Sequence, residues 1–147
     1  MQVNVSYKES MPLRGTNGAG HTTLFDTSLQ YHGTGSAPSP MEVMLESLAA
    51  CSMMDIIGIL NKKRREVSEL TAHIDAERAE EHPKVFTAVR IIYRLQSSDC
   101  TITDFERSIE LSMEKYCSVS AMLRASGCRL EWSAELVQTK GTERTLS

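Results

Sequence analysis

One long helix, from residue 39 to about residue 64, constrains the whole chain, because its apolar residues fall on most of its faces. Its start is marked. Ser39 is placed as the cap, and Pro40 suits the first helical position, where a missing N–H costs nothing. Glu42 completes an S-x-x-E capping box. Val43, Met44, Leu45, Leu48, Ile56, Ile57, Ile59 and Leu60 then surround the axis instead of forming one stripe. Such a helix should be buried, inside a domain or at an interface. The basic run at residues 62–65 falls at its C-terminal end, where cations complement the helix dipole.

The rest of the chain reads around that helix. Val3, Val5 and Tyr7 alternate with polar residues, so residues 2–8 form a strand. Gly15, Gly18 and Gly20 mark a turn region, residues 21–26 a second strand, and residues 32–39 a loop. After the helix, Leu70, Ala72, Ile74 and Ala76 alternate with polar residues. Val85, Thr87, Val89, Ile91, Tyr93 and Leu95 do likewise beyond the charged tip Glu80-Glu81-His82-Pro83, which makes a hairpin. Thr103 to Glu106 reads as a second capping box, with Phe105, Ile109, Met113 and Tyr116 at helical spacing. A short helix over residues 118–125 is broken by Gly127, and a last strand carries Cys128, Leu130, Trp132, Ala134 and Leu136. The order ββ-α-ββ-αα-β, with strands grouped in runs, predicts an α+β fold with antiparallel sheets. A length of 147 residues suits one domain, residues 1–138, followed by a polar tail, 139–147.

Composition removes several function classes. A net charge of -3 builds no nucleic-acid footprint. The opening alternation reads as a strand and not as a leader, and Glu46 and Asp55 interrupt the central apolar run. A cytoplasmic protein with no membrane partner is therefore expected. Four cysteines in such a chain should be reduced at rest. No pair has C-x-x-C spacing, and His21, His32, His73 and His82 form no H-x-x-x-H pattern, so neither a metal nor another cofactor is expected.

Two cysteines are candidates for thiol chemistry. Cys51 follows small residues inside the long helix, and Cys117 stands where one helix ends and the next begins. A helix N-terminus favours an anion, which suits a reactive sulfur at Cys117. From pattern alone, a small buried hydrophobe in an apolar helix outweighs the reactive reading of Cys51, and Cys117 could be a buried residue at a helix–helix junction. Cys100, in a loop, and Cys128, at the start of a strand, read as structural. Glu42 is explained by its cap, Arg14 by a solvated glycine-rich turn, and His21 by a strand-end hydrogen bond. Met41, Met44, Met53 and Met54 read as core, or as the lining of an apolar pocket.

Three segments together carry a resemblance. They are Ser39-Pro40-Met41-Glu42 through Cys51 and on to Arg64; Glu77-Arg78-Ala79-Glu80-Glu81-His82-Pro83-Lys84-Val85-Phe86-Thr87; and Leu111 through Glu114-Lys115-Tyr116-Cys117-Ser118-Val119. With Gly20-His21 and a strand ending in Asp26, this pattern resembles the OsmC/Ohr family, particularly its YhfA-like branch, over nearly the whole chain. The resemblance implies an OsmC-like α+β subunit with a long buried central helix, in an intertwined homodimer. It implies a thiol peroxidase protecting against oxidative stress, with Cys51 peroxidatic and Cys117 resolving. The substrate would be a small hydrophobic organic hydroperoxide, and the electron donor a dithiol reductant. The family's arginine and glutamate hold the first cysteine as a thiolate. Here they fall at Arg14 and at Glu42, which stands one place beyond the family position next to the proline. The alternative within the resemblance is a catalytically weak member, a dimer that binds a small ligand or senses redox state through the same pair.

Overall fold

The structure is a computed structural model that describes residues 1–139. The tail expected over 139–147 lies outside the described residues except for Thr139, whose backbone N–H donates to Ser97 O at 2.9 Å. The expected domain comprises two compact units, Met1–Glu46 and Ser47–Ser147.

The first unit holds an antiparallel sheet of β1 (Val3–Lys8), β2 (Ser10–Asn17) and β3 (Thr22–Phe25), with β2 in the centre. The sequence reading placed a turn region where β2 stands. Pro12 and Gly15 depress local strand propensity, but β1 and β3 supply partners on both sides. Pro12 is accommodated because the β1–β2 register shifts beside it, and pairing to β3 begins only at Leu13. Gly15 leaves room for the Phe25 ring, which a Cβ would meet at 3.1 Å. The turn from β2 to β3 is held by Asn17 Oδ1, which accepts from the N–H groups of Ala19 and His21 at 3.0 Å each. His21 thus stands immediately before β3, its ring Nδ1 3.2 Å from Asn17 Nδ2, which agrees with a hydrogen-bonded histidine at a strand end.

Helix α1 (Pro40–Lys62) starts as the capping box predicts. Ser39 N–H donates to Glu42 Oε2 at 2.7 Å, and Glu42 N–H donates to Ser39 Oγ at 3.3 Å. The helix stops two residues short of the expected end, with Arg64 in the left-handed region at φ 60. Its burial differs from expectation. Only Leu48, Ser52, Ile56 and Leu60, one i, i+4 stripe, are buried, while Met54 is 68% exposed. Within a single chain this helix has one covered face, because the second unit offers it one packing surface. The membrane argument from Glu46 and Asp55 also needs correction: by length and composition α1 is apolar enough to cross a membrane.

In the second unit, β4 (Glu69–Arg78), β5 (Phe86–Ser97) and β6 (Arg129–Gln138) form a sheet with β5 central. The β4–β5 hairpin is antiparallel, as predicted, but β5 and β6 pair in parallel. The helical segment between them is the reason: it is long enough to return the chain to the same end of the sheet. The register of β4 against β5 shifts between Glu77 and Arg78. That bulge puts Phe86 inside and leaves Thr87 exposed, the reverse of the simple alternation. Beyond it, Val89, Ile91, Tyr93 and Leu95 are buried as expected.

Helix α2 (Ile102–Leu111) is capped by Thr101, whose side chain accepts from Asp104 N–H. The cap therefore lies two residues before the Thr103 position read from sequence. Asp104 also pairs with Lys63 at 2.9 Å and Arg65 at 2.8 Å, which anchors the end of α1 and accounts for part of the basic run. Phe105, Ile109 and Met113 are buried, whereas Tyr116 is exposed. A π-helical turn, Ser112–Tyr116, follows α2, and α3 (Ser118–Ala125) follows Cys117. Gly127, at φ 87, ends that run as predicted.

Candidate functional site

Cys51 and Cys117, distant in sequence, meet in the second unit. Helix α1 carries Cys51 half-buried, immediately before the stripe residue Ser52. Cys117 is buried and caps α3. All four cysteines are free thiols, and the Cys51 sulfur lies close enough to Cys117 to raise its thiol.

The route of the chain into Cys117 explains its placement. The π-helical turn carries one more residue per hydrogen-bonded ring than an α-helix, which re-aims whatever follows it. Cys117 then leaves helical geometry, at φ -70 and ψ 106, with its N–H donating to Ser112 O at 2.8 Å. Its sulfur accepts from Ser120 N–H at 3.4 Å.

Burial pushes the Cys117 thiol above its ordinary value. The Ser120 amide opposes that shift, while the neighbouring Cys51 adds to it. Cys117 is therefore held as a protonated thiol beside the more accessible Cys51. Cys100 and Cys128 are both buried, and burial also raises both of their thiols. This agrees with their structural reading.

A set of hydroxyls not singled out in the sequence surrounds the pair. Tyr93 Oη lies 2.6 Å from Ser52 Oγ and 3.4 Å from Met113 Sδ. Burial pushes the Tyr93 phenol up to about 12, against the effect of its hydrogen bond with Ser52, and the nearby cysteines add to the rise. Ser112 Oγ lies 3.2 Å from Ser52 O and 3.0 Å from Asp55 Oδ2. The only sequence signals were polar residues at core positions: Ser52 on the buried stripe of α1, and a tyrosine within the apolar face of β5.

An open groove of about 440 Å³ is lined by Met54, Asp55, Gly58, Ile59, Lys62, Lys63, Leu111 and Tyr116. It lies one helical turn after Cys51 along α1 and includes the residue just before Cys117.

Glu42 and Arg14 belong to the first unit. The Glu42 carboxylate is engaged by its cap, and the Ser39 amide holds it below the usual glutamate value. Arg14 sits on β2, between Ser6 and Leu24 on the neighbouring strands. It lines a cup of about 220 Å³ with Lys8, Ser10, Met11 and Pro12. Among the described residues no group of three or more histidine, cysteine, aspartate or glutamate side chains could hold a metal ion.

Residues 33–133 match the family model described as OsmC-like protein. Protein YhfA of Escherichia coli (strain K12) is 35% identical over 123 residues, which is 84% of this chain and 89% of that protein. A hypothetical protein from Aquifex aeolicus VF5 has a similar structure, with a TM-score of 0.76 at 28% identity, covering 93% of this chain and 97% of that one. An organic hydroperoxide resistance protein from Legionella pneumophila shares the fold, with a TM-score of 0.65 at 14% identity, over 91% of this chain and 95% of that one. A match across both cysteines, with a relative identical at over a third of the aligned positions, shows that this chain belongs to the OsmC-like protein family.

Proposed function

We propose that this chain is a thiol peroxidase for small hydrophobic organic hydroperoxides. One observation carries the reading: a half-buried Cys51 stands beside a buried Cys117 thiol, although 66 positions separate them in sequence. Fold neighbours that are organic hydroperoxide resistance proteins support it.

The Cys51 thiolate attacks the outer peroxide oxygen. The O–O bond breaks, the sulfur takes the oxygen, and the alcohol leaves with a proton, giving Cys51 sulfenic acid. The Cys117 sulfur then attacks Cys51. Water leaves with the Cys117 proton, and a disulfide remains. A dithiol reductant returns both thiols and is itself oxidised to a disulfide. The apolar side of the groove along α1, with Met54, Ile59 and Leu111, suits the body of such a substrate.

Mild organic hydroperoxide is expected to link Cys51 to Cys117 within one chain while Cys100 and Cys128 stay reduced, as peptide mapping by mass spectrometry would show. A dominant link through Cys100 would overturn the assignment. Linkage without multiple turnovers under several dithiols would favour a redox-sensing member of the family.

The reading includes a homodimer. In the first unit Val3, Val5 and Tyr7 are all more than half exposed on β1, and α1 has one covered stripe. A three-stranded sheet with an open apolar face needs a covering surface. Sedimentation at micromolar concentration is expected to give a dimer, and a monodisperse monomer would exclude it.

A further inference from the structure

Tyr93 is fully buried, at 0% exposure. A phenylalanine would fill the same place on β5 without a hydroxyl to satisfy, and a buried hydroxyl is costly unless it is hydrogen-bonded. The Tyr93 hydroxyl is bonded, and its partners lie in the two segments that carry the cysteines. Ser52 is the residue after Cys51, and Met113 lies in the π-helical turn that delivers Cys117.

Shared hydroxyl contacts tie the segments together. Ser52 Oγ has helix carbonyls within reach, Leu48 O at 2.9 Å and Ala49 O at 3.0 Å. Tyr93 Oη donates to Met113 Sδ at 3.4 Å, and either hydroxyl can be the donor in the 2.6 Å contact between Tyr93 and Ser52. Two further serines tie the same segments. Ser112 Oγ reaches back to α1 at Ser52 O and Asp55. Ser120 Oγ lies 2.8 Å from Met113 O and 2.9 Å from Cys117 O. Among the described residues no buried side-chain nitrogen or oxygen is left without a partner. The cluster is therefore closed, and it spans α1, β5 and the π-helical turn.

We propose that Tyr93, acting through Ser52 and Met113, is a positioning residue that holds the Cys51 and Cys117 sulfurs in register for disulfide closure. The inference rests on the reading above that these two cysteines form a disulfide. Disulfide geometry tolerates little displacement, since the Cβ atoms must come within about 3.5–4.5 Å. The Tyr93 hydroxyl bonds to Ser52 and Met113, in the segments that carry the two sulfurs, so its effect is expected on closure of the pair.

The test compares wild type with Tyr93→Phe, Ser52→Ala and the double variant in two measurements. Single-turnover oxidation with an organic hydroperoxide separates trapped sulfenic acid from closed disulfide. Equilibration in glutathione buffers, where one glutathione disulfide and two protein thiols give one protein disulfide and two glutathiones, reads the effective concentration of the pair without peroxide. Disulfide closure and effective concentration should each fall about ten- to a hundredfold in Tyr93→Phe, as a misplacement near 1 Å would give. Cys51 oxidation should keep its wild-type rate, and the double variant should be no worse than either single one. Wild-type closure in both single variants would overturn the proposal, and so would equal slowing of both steps, which marks general loosening. If wild type consumes no peroxide but the glutathione measurement still depends on Tyr93, the peroxidase reading fails and the positioning role stands.

Discussion

Cys51→Ser is expected to abolish hydroperoxide consumption, leaving only the uncatalysed background. Cys117→Ser should instead complete one turnover and accumulate Cys51 sulfenic acid. The asymmetry follows from the order of events: one sulfur breaks the O–O bond, and the other captures its product. In the proposed reading the order follows access, because Cys51 is half-buried while Cys117 is buried with its thiol raised by burial. Both variants should fold. Cys51 lies off the buried stripe of α1, where a serine hydroxyl costs little. At position 117 the new hydroxyl replaces a sulfur that already caps α3 through Ser120 N–H, and serine is a preferred cap. Peroxide consumption and sulfenic acid trapping check both outcomes. Wild-type rates in Cys51→Ser would place the chemistry elsewhere.

Gly33→Ala should destabilise the first unit by about 3 kcal/mol or more, the upper end of what overpacking costs. Space is the cause. The new Cβ would stand 2.0 Å from Thr27 O, 2.4 Å from Thr27 C and 2.7 Å from Asp26 Oδ1. Relief requires the loop to open, and the loop is gathered on Asp26. That carboxylate accepts from Thr27 N–H at 2.7 Å, Thr34 N–H at 3.1 Å, Thr34 Oγ1 at 2.6 Å, Ser36 N–H at 2.9 Å and Ser36 Oγ at 2.8 Å. These bonds, the Thr34 hydroxyl foremost, hold Asp26 well below the usual carboxylate range against the effect of burial.

Because the folded pKa of Asp26 is depressed, its stabilisation is fully present above the unfolded value of about 3.9 and is lost as pH falls toward the folded one. Acid should therefore release hydrogen-exchange protection at the Thr34 and Ser36 amides. Asp26→Asn should lose that protection already at neutral pH, since its NH2 group would face donors. Thermal unfolding and hydrogen exchange check the set. Wild-type melting of Gly33→Ala would show that the loop is not held at Asp26.

What the sequence determined by itself is local. The start of α1 was legible because Ser39, Pro40 and Glu42 act on one another within a single turn. The stop at Gly127 and the alternation of β6 were legible because a left-handed residue and a two-residue period are properties of neighbouring positions. The cysteine pair was legible through family resemblance, since nothing local to Cys51 points to Cys117.

Tertiary structure decided what depends on distant partners. Strand β2 exists because β1 and β3 pair with it across the low propensity of Pro12 and Gly15. The parallel pairing of β6, the bulge beside Thr87 and the single covered stripe of α1 depend on how segments meet, which no window of sequence contains. The same holds for Tyr93. Its hydroxyl finds Ser52 and Met113 only after β5, α1 and the π-helical turn have packed together, and burial then requires those bonds to form.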